Sequence, residues 1–217
     1  VLFLVDTKKN NFNKERERAR KVIEKFMDQN ELGQTRTKTL FVMEFGDTVA
    51  NAYDPRTNTK TIDYAADRAD YRVALQQGRS FLLDRQKQNI DEFQVIVLIT
   101  DGDRPLDDRV QGATLKAELQ SAGIPVYVYL RNDQFSAVKQ ENQNAVKEIA
   151  DYTNGMMLRG REFESLGDEK AAERFIEDIL KGWALTGNFD PEFRGLNVNP
   201  EDSYNLKFKF ESSGSTV

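Results

Sequence analysis

Two apolar runs limit this chain more than any other feature. Val1-Leu2-Phe3-Leu4-Val5 closes on Asp6, and Phe93-Gln94-Val95-Ile96-Val97-Leu98-Ile99-Thr100 closes on Asp101-Gly102-Asp103. Neither run alternates as a strand with one wet face does. Both read as strands covered on both sides, the habit of parallel sheets in α/β proteins. Further strands are predicted over Leu40–Phe45, Val126–Leu130 and Met156–Leu158, and Gly46-Asp47 predicts a hairpin into a short strand over about 48–53. The intervening segments carry helical periodicity: Ala19, Val22, Ile23, Phe26 and Met27; then Ala74, Leu75, Gly78, Phe81 and Leu82; then a helix over about 110–122 that Gly123 ends. Ala145, Val146, Ile149 and Ala150 mark another, and the last runs from Ala171 through Phe175 and Ile179 to Trp183. This order predicts an α/β fold: a doubly wound, mostly parallel central sheet, Rossmann-like, with helices on both faces and one antiparallel edge strand.

The pattern breaks at Thr186, so residues 1–186 are expected to form the main domain. Residues 187–217 form a C-terminal extension with one alternating strand over about 204–210 and a flexible Ser212-Ser213-Gly214-Ser215 end. An apolar strand at residue 1 is an unusual natural start, so the sequence is expected to begin inside a longer protein, and missing targeting signals say nothing. No apolar run approaches the ~18 residues a membrane span needs.

Composition narrows the chemistry. The 217 residues include no Cys and no His, which excludes disulfides, thiolate nucleophiles, imidazole acid–base chemistry and zincin sites. Any metal must sit among oxygen ligands, which favours Mg²⁺, Ca²⁺ or Mn²⁺. Lys and Arg total 31 against 36 Asp and Glu, a net charge of −5, which argues against nucleic acid as the main partner. The run Lys14–Lys21 alternates in sign and is expected to be a solvated helix face with local ion pairs. There is no Gly-rich phosphate loop and no Gly-x-Gly-x-x-Gly. In open α/β sheets ligands bind beyond the carboxyl ends of the strands, where Asp6 and Asp101 fall. A carboxylate there needs a cation, a basic side chain or backbone donors; it can also simply cap the following loop or helix.

Strand-Asp6, a helix, the Phe41–Tyr53 hairpin, Val95-Ile96-Val97-Leu98-Ile99-Thr100-Asp101-Gly102, Ala122-Gly123-Ile124-Pro125-Val126, and Val146-Lys147-Glu148-Ile149-Ala150 before Gly155-Met156-Met157 follow one another as in a von Willebrand factor type A domain. The chain resembles that family over about residues 1–185. The resemblance implies adhesion or protein binding at a metal-ion-dependent site built on Asp-x-Ser-x-Ser, a Thr from a middle loop and an Asp after a later strand. Asp6 and Asp101 match the two Asp positions; Lys8 and Asn10 stand at the two Ser positions, and Ala69 or Asp70 falls where the Thr belongs. The ligand-binding cleft is thus expected among Asp6, Lys8, Asn10, Asp70, Asp101 and Asp103.

Lys8 is the departure that matters. An ammonium repels a nearby cation by about 4 kcal/mol per unit charge product at 4 Å in an effective dielectric of about 20. Three arrangements remain open. Lys8 can replace the metal and pair with Asp6, Asp101 or both; it can point into solvent; or it can swing aside while Asp6, Asn10, Asp70 and Asp101 hold Mg²⁺ through waters. The expectation is no resident cofactor, or a weak Mg²⁺, Mn²⁺ or Ca²⁺ site on Asp6, Asn10 and Asp101. The reading is a non-enzymatic protein-binding or adhesion module with a degenerate cation site, its partner a protein, such as one of the extracellular matrix. The resemblance alone favours an extracellular or cell-surface location. The alternatives are a structural matrix or scaffold domain with no cleft ligand, and an Asp-dependent phosphotransfer protein using Asp6.

Overall fold

The computed structural model describes residues 1–9, 13–28, 39–58, 61–88, 94–102, 109–130, 137–160 and 166–187. Asn10, Asp103, Phe93 and the predicted strand over 204–210 lie outside the described residues. Val1–Gly187 form one compact unit.

Five strands form the sheet: β1 (Leu2–Asp6), β2 (Phe41–Phe45), β3 (Ile96–Thr100), β4 (Val126–Leu130) and β5 (Met157–Arg159). Between and after them run α1 (Asn13–Asp28), α2 (Tyr71–Gln86), α3 (Arg109–Ser121), α4 (Ala137–Tyr152) and α5 (Asp168–Gly187). The strand order is β2-β1-β3-β4-β5, and every pairing is parallel. The order reverses between β1 and β3, so the fold has its topological switch point at the two strands that end in Asp6 and Thr100-Asp101.

Alternation along each strand sorts side chains onto two cores. Phe3, Val5, Val97, Ile99, Tyr127 and Tyr129 face α1 and α5, where they meet Val22, Phe26, Phe175 and Ile176. Leu2, Leu4, Leu98, Val126 and Val128 face α2, α3 and α4, against Leu75, Leu115, Leu119 and Ile149. Covered on both faces, β1, β3 and β4 are buried at every position, which is why they lack alternation in sequence. Phe3 meets Phe26 edge to face at 5.6 Å, and Tyr127 meets Phe175 in the same way at 6.4 Å. At the rim of that layer, Lys25 of α1 bridges Glu173 and Glu169 of α5 at 2.9 and 3.0 Å.

The antiparallel edge predicted over 48–53 is present only as two isolated bridges on β2, Phe45–Val49 and Val42–Tyr53. Two residues lie between Val42 and Phe45 but three between Val49 and Tyr53, so the returning limb carries an extra residue. That bulge interrupts the ladder before it becomes a strand. The Tyr53 hydroxyl nevertheless donates to the buried Glu44 carboxylate at 3.1 Å and fastens the limb to β2.

The charged run in α1 divides. Arg20 pairs with Glu17 at 2.8 Å and Glu24 at 3.1 Å on the wet face, as alternating charge predicts. Arg18 does not follow it. It is 1% exposed, and its Nη1 donates to the Gly160 carbonyl at 3.4 Å. Charge alternation is blind to which turn of the helix faces the sheet. Of the predicted apolar stripe in α5, Ala171, Ala172, Phe175, Ile176 and Ile179 are buried, and the Trp183 side chain lies outside the described set.

This packing has two measurable consequences. Phe175→Ala should cost about 3–5 kcal/mol in denaturant unfolding, because it opens a cavity between α5 and Tyr127. Burial first, then the Glu44 charge, pushes the Tyr53 hydroxyl well above its ordinary pKa, and burial does the same to Tyr127. A raised pKa gives stability that is complete below the unfolded tyrosine value of about 10 and lost as pH rises beyond it. Stability should therefore fall on the alkaline side of about pH 10, and Tyr53→Phe should flatten part of that fall.

Candidate functional site

The crevice at the switch point is assembled around one carboxylate. β1 and β3 run parallel with Val5 opposite Ile99, so the next residues, Asp6 and Thr100, emerge side by side. Asp6 is 1% exposed. Its Oδ1 accepts the Lys8 N–H at 2.8 Å, and its Oδ2 accepts the Thr100 hydroxyl at 3.0 Å and the Asp101 N–H at 3.3 Å. Thr100 Oγ1 in turn accepts the Gly102 N–H at 3.1 Å. The loops leaving both strands are therefore tied to a single side chain.

Lys8 returns over this arrangement. Its Nζ lies 3.7 Å from Asp101 Oδ2, with the lysine side chain 26% exposed and the aspartate 8%. Of the arrangements left open by the sequence, the geometry is that in which Lys8 faces Asp101. Asp6 is met by backbone and hydroxyl donors.

A second layer fixes the height of the crevice wall. Residues 61–70 cross the ends of β1 and β2. Ala66 donates to the Thr7 carbonyl at 3.1 Å and accepts the Lys9 N–H at 2.8 Å, so Lys8 and Ala66 form a parallel bridge. Thr7 bonds the Phe45 carbonyl through both its N–H, at 2.8 Å, and its hydroxyl, at 3.0 Å. Gly46 lies beneath the crossing. A Cβ there would sit 2.3 Å from Ala66 Cβ and 2.6 Å from Thr7 Oγ1. Asp47 holds the crossing from the hairpin side, accepting the Arg68 N–H at 3.1 Å and the Asp67 N–H at 3.3 Å. Lys9 reaches Asp67 at 3.1 Å in the open.

Asp70 stands at the start of α2. It caps α2, accepting the Arg72 N–H at 3.0 Å, and its carboxylate is gripped by the Arg72 guanidinium at 2.8 and 3.0 Å. Its oxygens serve that cap and ion pair, the ordinary work of an aspartate preceding a helix. Asp6, Lys8 and Asp101 are brought together, and Asn10 and Asp103 lie outside the described residues.

The donor set can be weighed against a divalent ion on chemistry alone. Mg²⁺ or Ca²⁺ wants six or more oxygens, several of them anionic. Among the described residues no three acidic side chains converge. Both Asp6 oxygens already accept hydrogen bonds, and an ammonium stands beside Asp101. These residues suit an internal ion pair better than a cation.

Sequence reasoning missed Thr100, Thr7, Gly46, Asp47 and Ala66. Thr100 had a legible signal, since a hydroxyl residue ends an otherwise aliphatic strand just before Asp-Gly. The others act through contacts between distant segments, and the hairpin signal of Gly46-Asp47 says nothing of the segment that crosses it.

No protein-family model matches the sequence, and no curated protein matches it. Among solved structures, the chain is similar to the human COPII-coat protein Sec24c at 10% identity and a TM-score of 0.54, over 81% of this chain and 31% of that one. It also aligns with the manganese-loaded TRAP protein of Plasmodium vivax at 14% identity and a TM-score of 0.48, over 81% of this chain and 72% of that one. The first likeness is one of fold: a Rossmann-like α/β sheet with helices on both sides.

Removing Asp6 should disturb both strand ends at once. Asp6→Ala leaves three donors without their acceptor and should cost on the order of 3 kcal/mol in urea unfolding. Lys8→Met, which removes only the charge beside Asp101, should cost about 1–2 kcal/mol, between the values of exposed and buried pairs.

Proposed function

We propose that this chain is a non-enzymatic protein-binding module of the von Willebrand factor A type, whose strand-end crevice works without a divalent cation. The observation that carries this reading is the Lys8 ammonium 3.7 Å from Asp101, in the crevice where Asp6 and Asp101 would otherwise face a metal. The lysine supplies one positive charge on a tether, so a cation that would approach Asp101 meets repulsion from Lys8 and finds Asp6 already hydrogen-bonded. The fold supports the class of module, and the oxygen-only chemistry of the chain is consistent with binding in place of catalysis.

Phosphotransfer through Asp6 receives little support. A nucleophilic carboxylate must present a free oxygen to its substrate, and Asp6 is 1% exposed with hydrogen bonds on both oxygens. We assign the module an adhesive or scaffolding role with a protein ligand, on an extracellular or cell-surface protein.

Calorimetric titration with Mg²⁺ and Mn²⁺, paired with melting temperatures, tests the cation-free crevice. The wild-type chain should show no saturable heat and no shift in melting up to millimolar metal, whereas Lys8→Ser should gain measurable binding. A micromolar wild-type site that Asp101→Ala removes would overturn the reading.

A further inference from the structure

The end of α4 carries a second chemistry. The chain must leave α4 at Tyr152 and turn at once into β5, beside β4. It does so with Asn154 in the left-handed conformation, φ 60°. The Gly155 N–H donates to the Ala150 carbonyl at 2.9 Å and the Asn154 N–H to the Asp151 carbonyl at 3.3 Å, the paired bonds of a Schellman helix end. Thr153 binds the turn to the sheet: its hydroxyl donates to the Ile149 carbonyl at 2.8 Å and accepts the Val126 N–H of β4 at 3.0 Å. Gly155 has no space for a side chain, because a Cβ would lie 2.0 Å from the Val126 carbonyl oxygen. The Asn154 side chain is exposed.

These two demands, a short polar residue that tolerates positive φ and a glycine that tolerates backbone contact, set asparagine directly before glycine. We propose that Asn154-Gly155 is a latent deamidation site which the α4 cap holds closed. In the reaction the Gly155 backbone nitrogen gives up its proton and bonds to Asn154 Cγ. The Cγ–Nδ2 bond breaks, and the amide nitrogen leaves as ammonia. Water then opens the succinimide at one carbonyl or the other, giving aspartate or isoaspartate. No oxidant or cofactor takes part.

In the folded chain the attacking nitrogen is engaged with the Ala150 carbonyl, and its flanks are set by the turn. Ring closure therefore waits for the α4–β4 junction to open, and its rate reports that local opening. The two products differ in their effect on the turn. Aspartate keeps the backbone length and tolerates the left-handed region, so the turn recloses. Isoaspartate adds a carbon to the main chain next to Gly155, where the Val126 carbonyl leaves no room, so the junction stays displaced.

The test incubates the full chain at mildly alkaline pH, folded and in guanidinium chloride, and follows residues 154–155 by peptide mapping for amide-to-acid exchange and for isoaspartate. Exchange should be faster in denaturant by about tenfold or more. Thr153→Ala should raise the folded-state rate several-fold, and the isoaspartate fraction should melt at lower temperature than unmodified chain. Asn154→Gly should abolish exchange at this peptide and keep the fold. Equal rates in the folded and denatured chain would overturn the proposal, as would absence of acid product in denaturant or a folded-state rate unmoved by Thr153→Ala despite a lowered melting temperature.

Discussion

An ionised carboxylate taken out of water must be given replacements for its hydration, and Asp6 sets that demand at the centre of this fold. Its partners come from the loop after β1 and from the end of β3, two segments that meet only if the strands are adjacent, parallel and in register. A slip of one residue would turn every strand side chain to the opposite core and carry Thr100 away from Asp6. The apolar faces drive the sheet together, and the carboxylate selects among the ways it could assemble.

The crevice inherits its character from the same residue. Once Asp6 is satisfied by backbone and hydroxyl donors, Asp101 is the charge that must be answered, and Lys8 is two residues along the same loop from the strand end. Around them the bridge between Lys8 and Ala66, the close seat of Gly46 and the grip of Asp47 keep the crossing segment at a set height over β1 and β2. The hairpin and the crossing are therefore parts of one wall.

Much of the architecture was legible because burial on both faces leaves an unmistakable mark. β1, β3 and β4 are continuous apolar runs, and the aspartates that close β1 and β3 pointed to the switch point before any topology was known. Where the structure adds to or departs from expectation, a particular contact decides. The limb over 48–53 has strand composition, yet a bulge breaks its ladder. Arg18 looks like its neighbours in an alternating run, yet its turn of α1 faces inward toward the Gly160 carbonyl. Asp70, expected in the cleft, also caps the helix that follows and pairs with Arg72. The pairing of Lys8 with Asp101 was one of three arrangements the sequence left open, since no local pattern says where a long flexible side chain settles.

The bond between Thr100 and Asp6 spans 94 residues of chain. Contacts of such separation form late, because the intervening loop must surrender its freedom before the contact returns anything. β2 can dock on β1 across a much shorter span, and α1 and α2 can form locally, while the crevice does not yet exist. The crevice therefore cannot exist before β3 has joined β1. A chain emerging from synthesis with β3 still unmade could carry helices and a partial sheet but no crevice, which separates the first compaction from the closing of the strand ends.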